Sequence, residues 1–111
     1  MLADRLLIAL CSVPDEATAK ALSESFLEAR LAACVSRMPG VQSQYWWKGA
    51  LETGEETLLM IKTTAAQVDS LKAHIQKNHP YETPELIFVP IETALDAYAL
   101  WINQETGYQG L

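Results

Sequence analysis

The chain is poor in the residues that mark a specialised protein. Its 111 residues include two cysteines and two histidines. Two cysteines cannot build a disulfide framework in a chain this long, so the fold must rest on its own core. Cys11 and Cys34 both sit in apolar runs and read first as buried thiols acting as small hydrophobes. Basic residues are scarce: 8 Lys and Arg stand against 14 Asp and Glu, a net charge of −6. Without a basic stripe to displace counterions, neither a nucleic acid nor an anionic membrane surface is expected as partner. No apolar stretch approaches the length of a membrane span. Met1-Leu2-Ala3-Asp4-Arg5 leads into a short apolar run with no cleavage pattern, so no signal peptide is read and a reducing cytoplasm is the expected home. Catalytic signatures are missing too. There is no phosphate-cradling glycine loop, no His-Glu-x-x-His and no Cys-x-x-Cys. No carboxylate pair has a spacing that demands acid–base work, so no enzyme is expected.

What is there is a hydrophobic fraction of 50%, enough for one domain over residues 1–111 with a core of its own. Leu6 to Val13 is nearly continuous and apolar, as in a strand buried on both faces. Pro14 fits the first helical position, and Asp15 and Glu16 put negative charge in the first turn. That helix runs to about Arg30, with Ala19, Leu22, Phe26 and Ala29 as its buried stripe. Ala32 to Met38 reads as a second strand broken by Pro39-Gly40, with extension resuming from Val41 through Trp47. Thr57 to Thr63 is a third strand, and Gly49 and Gly54 bracket the turn and kink region of a hairpin. Thr64 and Gln67 have capping-box spacing for a second helix striped by Val68, Leu71 and Ile75 and ending near Asn78. Leu86 to Ile91 is a fourth strand, whose Pro90 suits a strand end or sheet edge. Thr93 with Asp96 caps a last helix striped by Leu95, Tyr98 and Ile102 and flanked by Trp101, and a loose tail is expected from Gly107. The order β-α-β-β-α-β predicts a ferredoxin-like α+β fold, an antiparallel sheet with both main helices on one face, plus a C-terminal helix.

Two stretches stand out. Asn78-His79-Pro80-Tyr81-Glu82-Thr83-Pro84-Glu85 places an imidazole, a phenol and carboxylates on a stiff non-helical connector. Rigid loops carrying such side chains make good sites, although a connector like this also serves as a plain link with solvated polar groups. His74, by contrast, reads as a solvated helix residue. In Tyr45-Trp46-Trp47, neighbouring strand residues point to opposite faces, so Trp46 and Trp47 cannot share one core. One tryptophan is left exposed in a single subunit, an incentive to oligomerise.

A set of spaced motifs resembles the CutA, or divalent-cation-tolerance, family. They are Cys11-Ser12-Val13-Pro14-Asp15, Leu31-Ala32-Ala33-Cys34-Val35, Pro39-Gly40-Val41 with Ser43, Tyr45, Trp47 and Gly49, Glu56 with Lys62-Thr63-Thr64, and His79 through Glu85. The resemblance runs from Leu6 to about Ile102. It implies a ferredoxin-like homotrimer with the hairpin reaching to neighbours, a role in the response or tolerance to divalent metal ions, and copper binding. On this resemblance the metal residues carry over to Cys11 and His79, with Glu85 assisting. Thiolate suits Cu(I) and imidazole suits either copper state. The chain departs at Asn78, where some members carry a second histidine, and an amide oxygen is a poorer copper ligand. Two alternatives stand beside the metal-binding trimer. One is a signal-type trimer holding a small metabolite at subunit clefts through Lys62 or the Tyr81-Glu82 loop. The other is a structural adaptor trimer.

Overall fold

The computed structural model describes residues 4–107. Its elements are β1 (Leu6–Val13), α1 (Glu16–Glu28), β2 (Cys34–Trp47), β3 (Ala50–Thr64), α2 (Val68–Asn78), β4 (Ile87–Pro90) and α3 (Asp96–Glu105). The strands form one antiparallel sheet in the order β2-β3-β1-β4. Both long helices lie on one face. There Ala9, Cys11 and Val13 of β1 and Leu59 and Ile61 of β3 meet Ala19, Leu22 and Phe26 of α1 and Leu71 and Ile75 of α2. The expected β-α-β-β-α-β order with a terminal helix is what the chain adopts.

Among the described residues, the other face of the sheet carries no helix and is largely apolar at its centre, where β1, β3 and β4 meet. Strand register puts Leu10 beside Met60 and Ile87, and Ile8 beside Lys62 and Val89. Ile87 and Val89 are 51% and 43% exposed. The tip of the β2–β3 hairpin is a two-residue turn in which Lys48 and Gly49 both have positive φ, 51° and 83°. This left-handed pair matches the twist of the flanking strands. Trp46 is 74% exposed and Trp47 39% exposed, as their opposed faces require.

Several local expectations need correction. Pro14 is not in the helix. Asp15 is the N-cap, and its Oδ1 accepts the Thr18 N–H at 2.7 Å. Ala29 lies beyond α1 as its C-cap and is exposed. Pro39-Gly40 does not end β2. It makes a bulge, with Gly40 at φ 75°, and pairing resumes at Val41–Glu56. Gly54 lies inside β3 rather than at a turn, and β3 begins at Ala50. The Thr64–Gln67 capping box does not form, because Thr64 is still paired to Leu6. The next N–H, that of Ala65, goes to Arg5 O at 2.9 Å, and a short 3-10 turn precedes α2. α3 starts at Asp96 with Leu95 as its cap and no capping side chain, so Thr93 plays no such part. Of its expected stripe only Ile102 is buried, while Leu95 is 82% and Tyr98 41% exposed. The expected loose tail falls, after Gly107, outside the described residues. Gly107 itself is tied down, its N–H donating to Arg30 O at 2.7 Å.

Candidate functional site

The connector from His79 to Glu85 folds over the end of β1, and Ser12 is where it attaches. α2 stops at His79, whose own N–H still reaches Ile75 O at 2.9 Å but whose backbone is extended. Pro80 follows and cannot donate into a helix. The His79 ring then bridges two backbones. Nδ1 accepts the Tyr81 N–H at 3.1 Å, so in the neutral ring Nε2 carries the proton and donates it to Ser12 O at 2.8 Å. The Tyr81 ring lies against the imidazole, with centroids 4.8 Å apart.

Two carboxylates complete the arrangement. Tyr81 donates its phenol proton to Glu56 Oε2 at 2.7 Å. Burial, and then the bond and charge of Glu56, hold that phenol above its ordinary range. Ser12 Oγ donates to Glu85 Oε1 at 2.9 Å. The β1–β4 register pairs Leu10 with Ile87, so a strand continued by two residues sets Glu85 opposite Ser12. The remaining connector charge, Glu82, meets Lys48 at 3.6 Å, with both side chains largely exposed, 71% and 70%. Such a pair contributes little.

Cys11 stands differently. It is fully buried in the core, and its Sγ donates only a weak bond to Ser12 O at 3.9 Å. Burial first, and then the negative charges of Glu85 and Glu56, push its thiol up to about 12.

The three residues carried over for a metal, Cys11, His79 and Glu85, therefore all gather around Ser12, but they do not present free donors to one point. A copper ion needs a thiolate, a free imidazole nitrogen and a common focus. Here the thiol is held neutral, both imidazole nitrogens are bonded, and Glu85 is engaged by Ser12. Among the described residues no group of three or more His, Cys, Asp or Glu is placed to hold a metal ion. Asn78 does not substitute, since its amide Nδ2 donates back to His74 O at 2.9 Å. As folded within one subunit, these residues do not fit copper.

A family model described as CutA1 divalent ion tolerance protein matches residues 7–105. The chain belongs to the CutA1 family. A "Divalent-cation tolerance protein CutA" of Pectobacterium atrosepticum is 42% identical over 96 residues, covering 86% of this chain and 87% of that protein. Among solved structures, rice CutA1 superposes with a TM-score of 0.92 at 36% identity, covering 96% of this chain and 98% of that one. An Archaeoglobus fulgidus CutA described as a periplasmic divalent cation tolerance protein gives a TM-score of 0.87 at 28% identity, covering 90% and 97%.

Two partners in the site stood among the family motifs but were given no role there. Ser12 and Glu56 carry no local signal of a role, because their bonds join residues 73 and 25 positions apart. His74 also differs from expectation. It is half-buried between the helices, with Nε2 2.8 Å from Ser25 Oγ and its ring 5.3 Å from that of Phe26.

Proposed function

We propose that this CutA chain acts as a non-enzymatic homotrimer in the response to divalent cations, with assembly rather than a chelate inside one subunit as its working principle. The observation that carries the reading is the helix-free sheet face, apolar at its centre. Ile87 and Val89 lie open on it, and the hairpin beyond exposes Trp46 at 74% and Leu51 at 62%. The molecule is drawn out to 50 × 26 × 21 Å, and its radius of gyration of 14.8 Å exceeds the roughly 13 Å usual for this length. Exposed apolar surface on this scale is normally covered by another protein surface. A count of three is what the CutA resemblance implies, and it supports this reading. An acidic assembly also draws cations toward itself.

Copper is the metal the resemblance implies. For it to bind through Cys11, His79 and Glu85, His79 must first release Ser12 or Tyr81, so binding is weak. The two cysteines are unpaired, which suits a reducing compartment such as the cytoplasm. Light scattering after gel filtration tests the assembly, and the expected mass is three chains at micromolar concentration. A monomer at all concentrations refutes it. Calorimetry with copper should give a weak isotherm on the parent, and His79→Ala should weaken it further. Tight stoichiometric binding lost in His79→Ala would overturn the account of the site.

A further inference from the structure

The second cysteine, outside the Ser12 site, sits in a different chemical setting. Cys34 opens β2, at the end of that strand away from the hairpin tip, and is Cα partner to Lys62 of β3. Lys62 Nζ lies 3.9 Å from Cys34 Sγ and 3.2 Å from Ser36 Oγ. Both Cys34 and Lys62 are half-buried. Among the described residues no carboxylate is within ion-pair distance of Lys62, so a thiol and a hydroxyl are the partners of this cation.

We propose that Cys34 and Lys62 form a redox crosslinking pair, in which a peroxide drives an S–N bond between the two side chains and so staples β2 to β3. Thiolate is the form that attacks a peroxide, and Lys62 Nζ at 3.9 Å stands within reach of the sulfur once it is oxidised. Cys34 sulfur takes one oxygen while the O–O bond breaks, giving a sulfenic acid and hydroxide, a two-electron oxidation of sulfur. Sulfenic acids condense with thiols and with backbone nitrogen, and the more nucleophilic side-chain amine is here offered the same reaction. The neutral Lys62 amine attacks the sulfur, the S–O bond breaks, and a proton from nitrogen leaves with that oxygen as water. The sum is the chain less two hydrogens, with peroxide reduced to water. A thiol reductant cleaves the S–N bond and restores both side chains. Cys11 is the internal control, because its thiol is buried and no amine bonds to it.

The test is high-resolution intact mass and tryptic mapping of the assembled protein after mild hydrogen peroxide in slightly alkaline buffer. The parent and Cys11→Ser proteins should both lose two hydrogens in mass. Their maps should contain a joined peptide linking Cys34 to Lys62, with no cleavage after Lys62, and dithiothreitol should reverse both changes. Lys62→Arg keeps the charge but lacks the amine, so it should stop at a sulfenic acid that dimedone traps on Cys34. Cys34→Ser should be inert. The parent carries the deciding signal whatever the variants do. A dimedone adduct on Cys34 without the joined peptide, oxidation at Cys11 in preference, or a Cys34 disulfide between subunits would each overturn the proposal.

Discussion

Replacing Cys11 by alanine should change the shape of the alkaline stability curve. In the folded chain the thiol is raised from 9.0 to about 12, chiefly because it is buried. A group whose folded pKa is raised contributes stability that is complete below its unfolded value and is lost as pH climbs toward the folded one. Below pH 9.0 both states hold the proton, and between 9.0 and about 12 only the folded state does. Each pH unit in that window should therefore remove about 1.4 kcal/mol, and the full span about 4 kcal/mol. Cys11→Ala removes this dependence but leaves a small hole among Leu59, Phe26 and their neighbours, at a cost on the order of 1–2 kcal/mol. The two curves should consequently cross roughly one pH unit above 9.0. The assay is urea unfolding at a series of pH values, with reductant and at fixed protein concentration, since assembly adds its own linkage. Contributions from other residues are common to both proteins and cancel in the difference. Parallel curves from pH 8 to 12 would show that the thiol is not desolvated, and would reopen Cys11 as a ready metal ligand.

Two further outcomes follow from the hydrogen bonds. Tyr81→Phe keeps the ring on His79 but removes the bond to Glu56, and should cost about 1–2 kcal/mol. A double-mutant cycle with Glu56→Gln should recover coupling of about 1 kcal/mol, and strict additivity would deny the bond. Because the Tyr81 phenol is raised in the fold, the parent should also lose stability above pH 10.0 more steeply than Tyr81→Phe. His74 titrates below its ordinary value of 6.5, first through burial and then through Lys77. Its contribution is present above that value and lost on acidification, so His74→Gln should flatten the decline below pH 6.5, as read by thermal melts.

The sequence showed long elements well and their ends poorly. Leu6 to Val13 was legible because eight residues of apolar strand have no competing period. β2 was not legible as one strand, because Pro39-Gly40 looks like a stop and acts as a bulge. Thr64 and Thr93 had the right neighbours for caps, but a cap needs its residue free of other pairing, and Thr64 is held by Leu6. At the site, the connector stood out by composition, and His79 and Glu85 do gather beside Cys11 around one residue. What they bind could not be read, because Ser12 contributes a backbone carbonyl and a hydroxyl, neither of which leaves a pattern in a sequence.

The bulge at Pro39-Gly40 acts as a phase shifter. Before it, Cys34, Ser36 and Met38 stand opposite Lys62, Met60 and Leu58, so even-numbered positions of β2 share the open face. After it, Val41, Ser43, Tyr45 and Trp47 stand opposite Glu56, Gly54, Glu52 and Ala50, so odd-numbered positions take over that face while the numbering of β3 runs on unchanged. The outer hairpin is thus written in the opposite parity from the inner one. Losing a single residue here would barely shorten the arm, yet it would turn the arm inside out, exchanging the sides on which Trp46 and Trp47 are displayed.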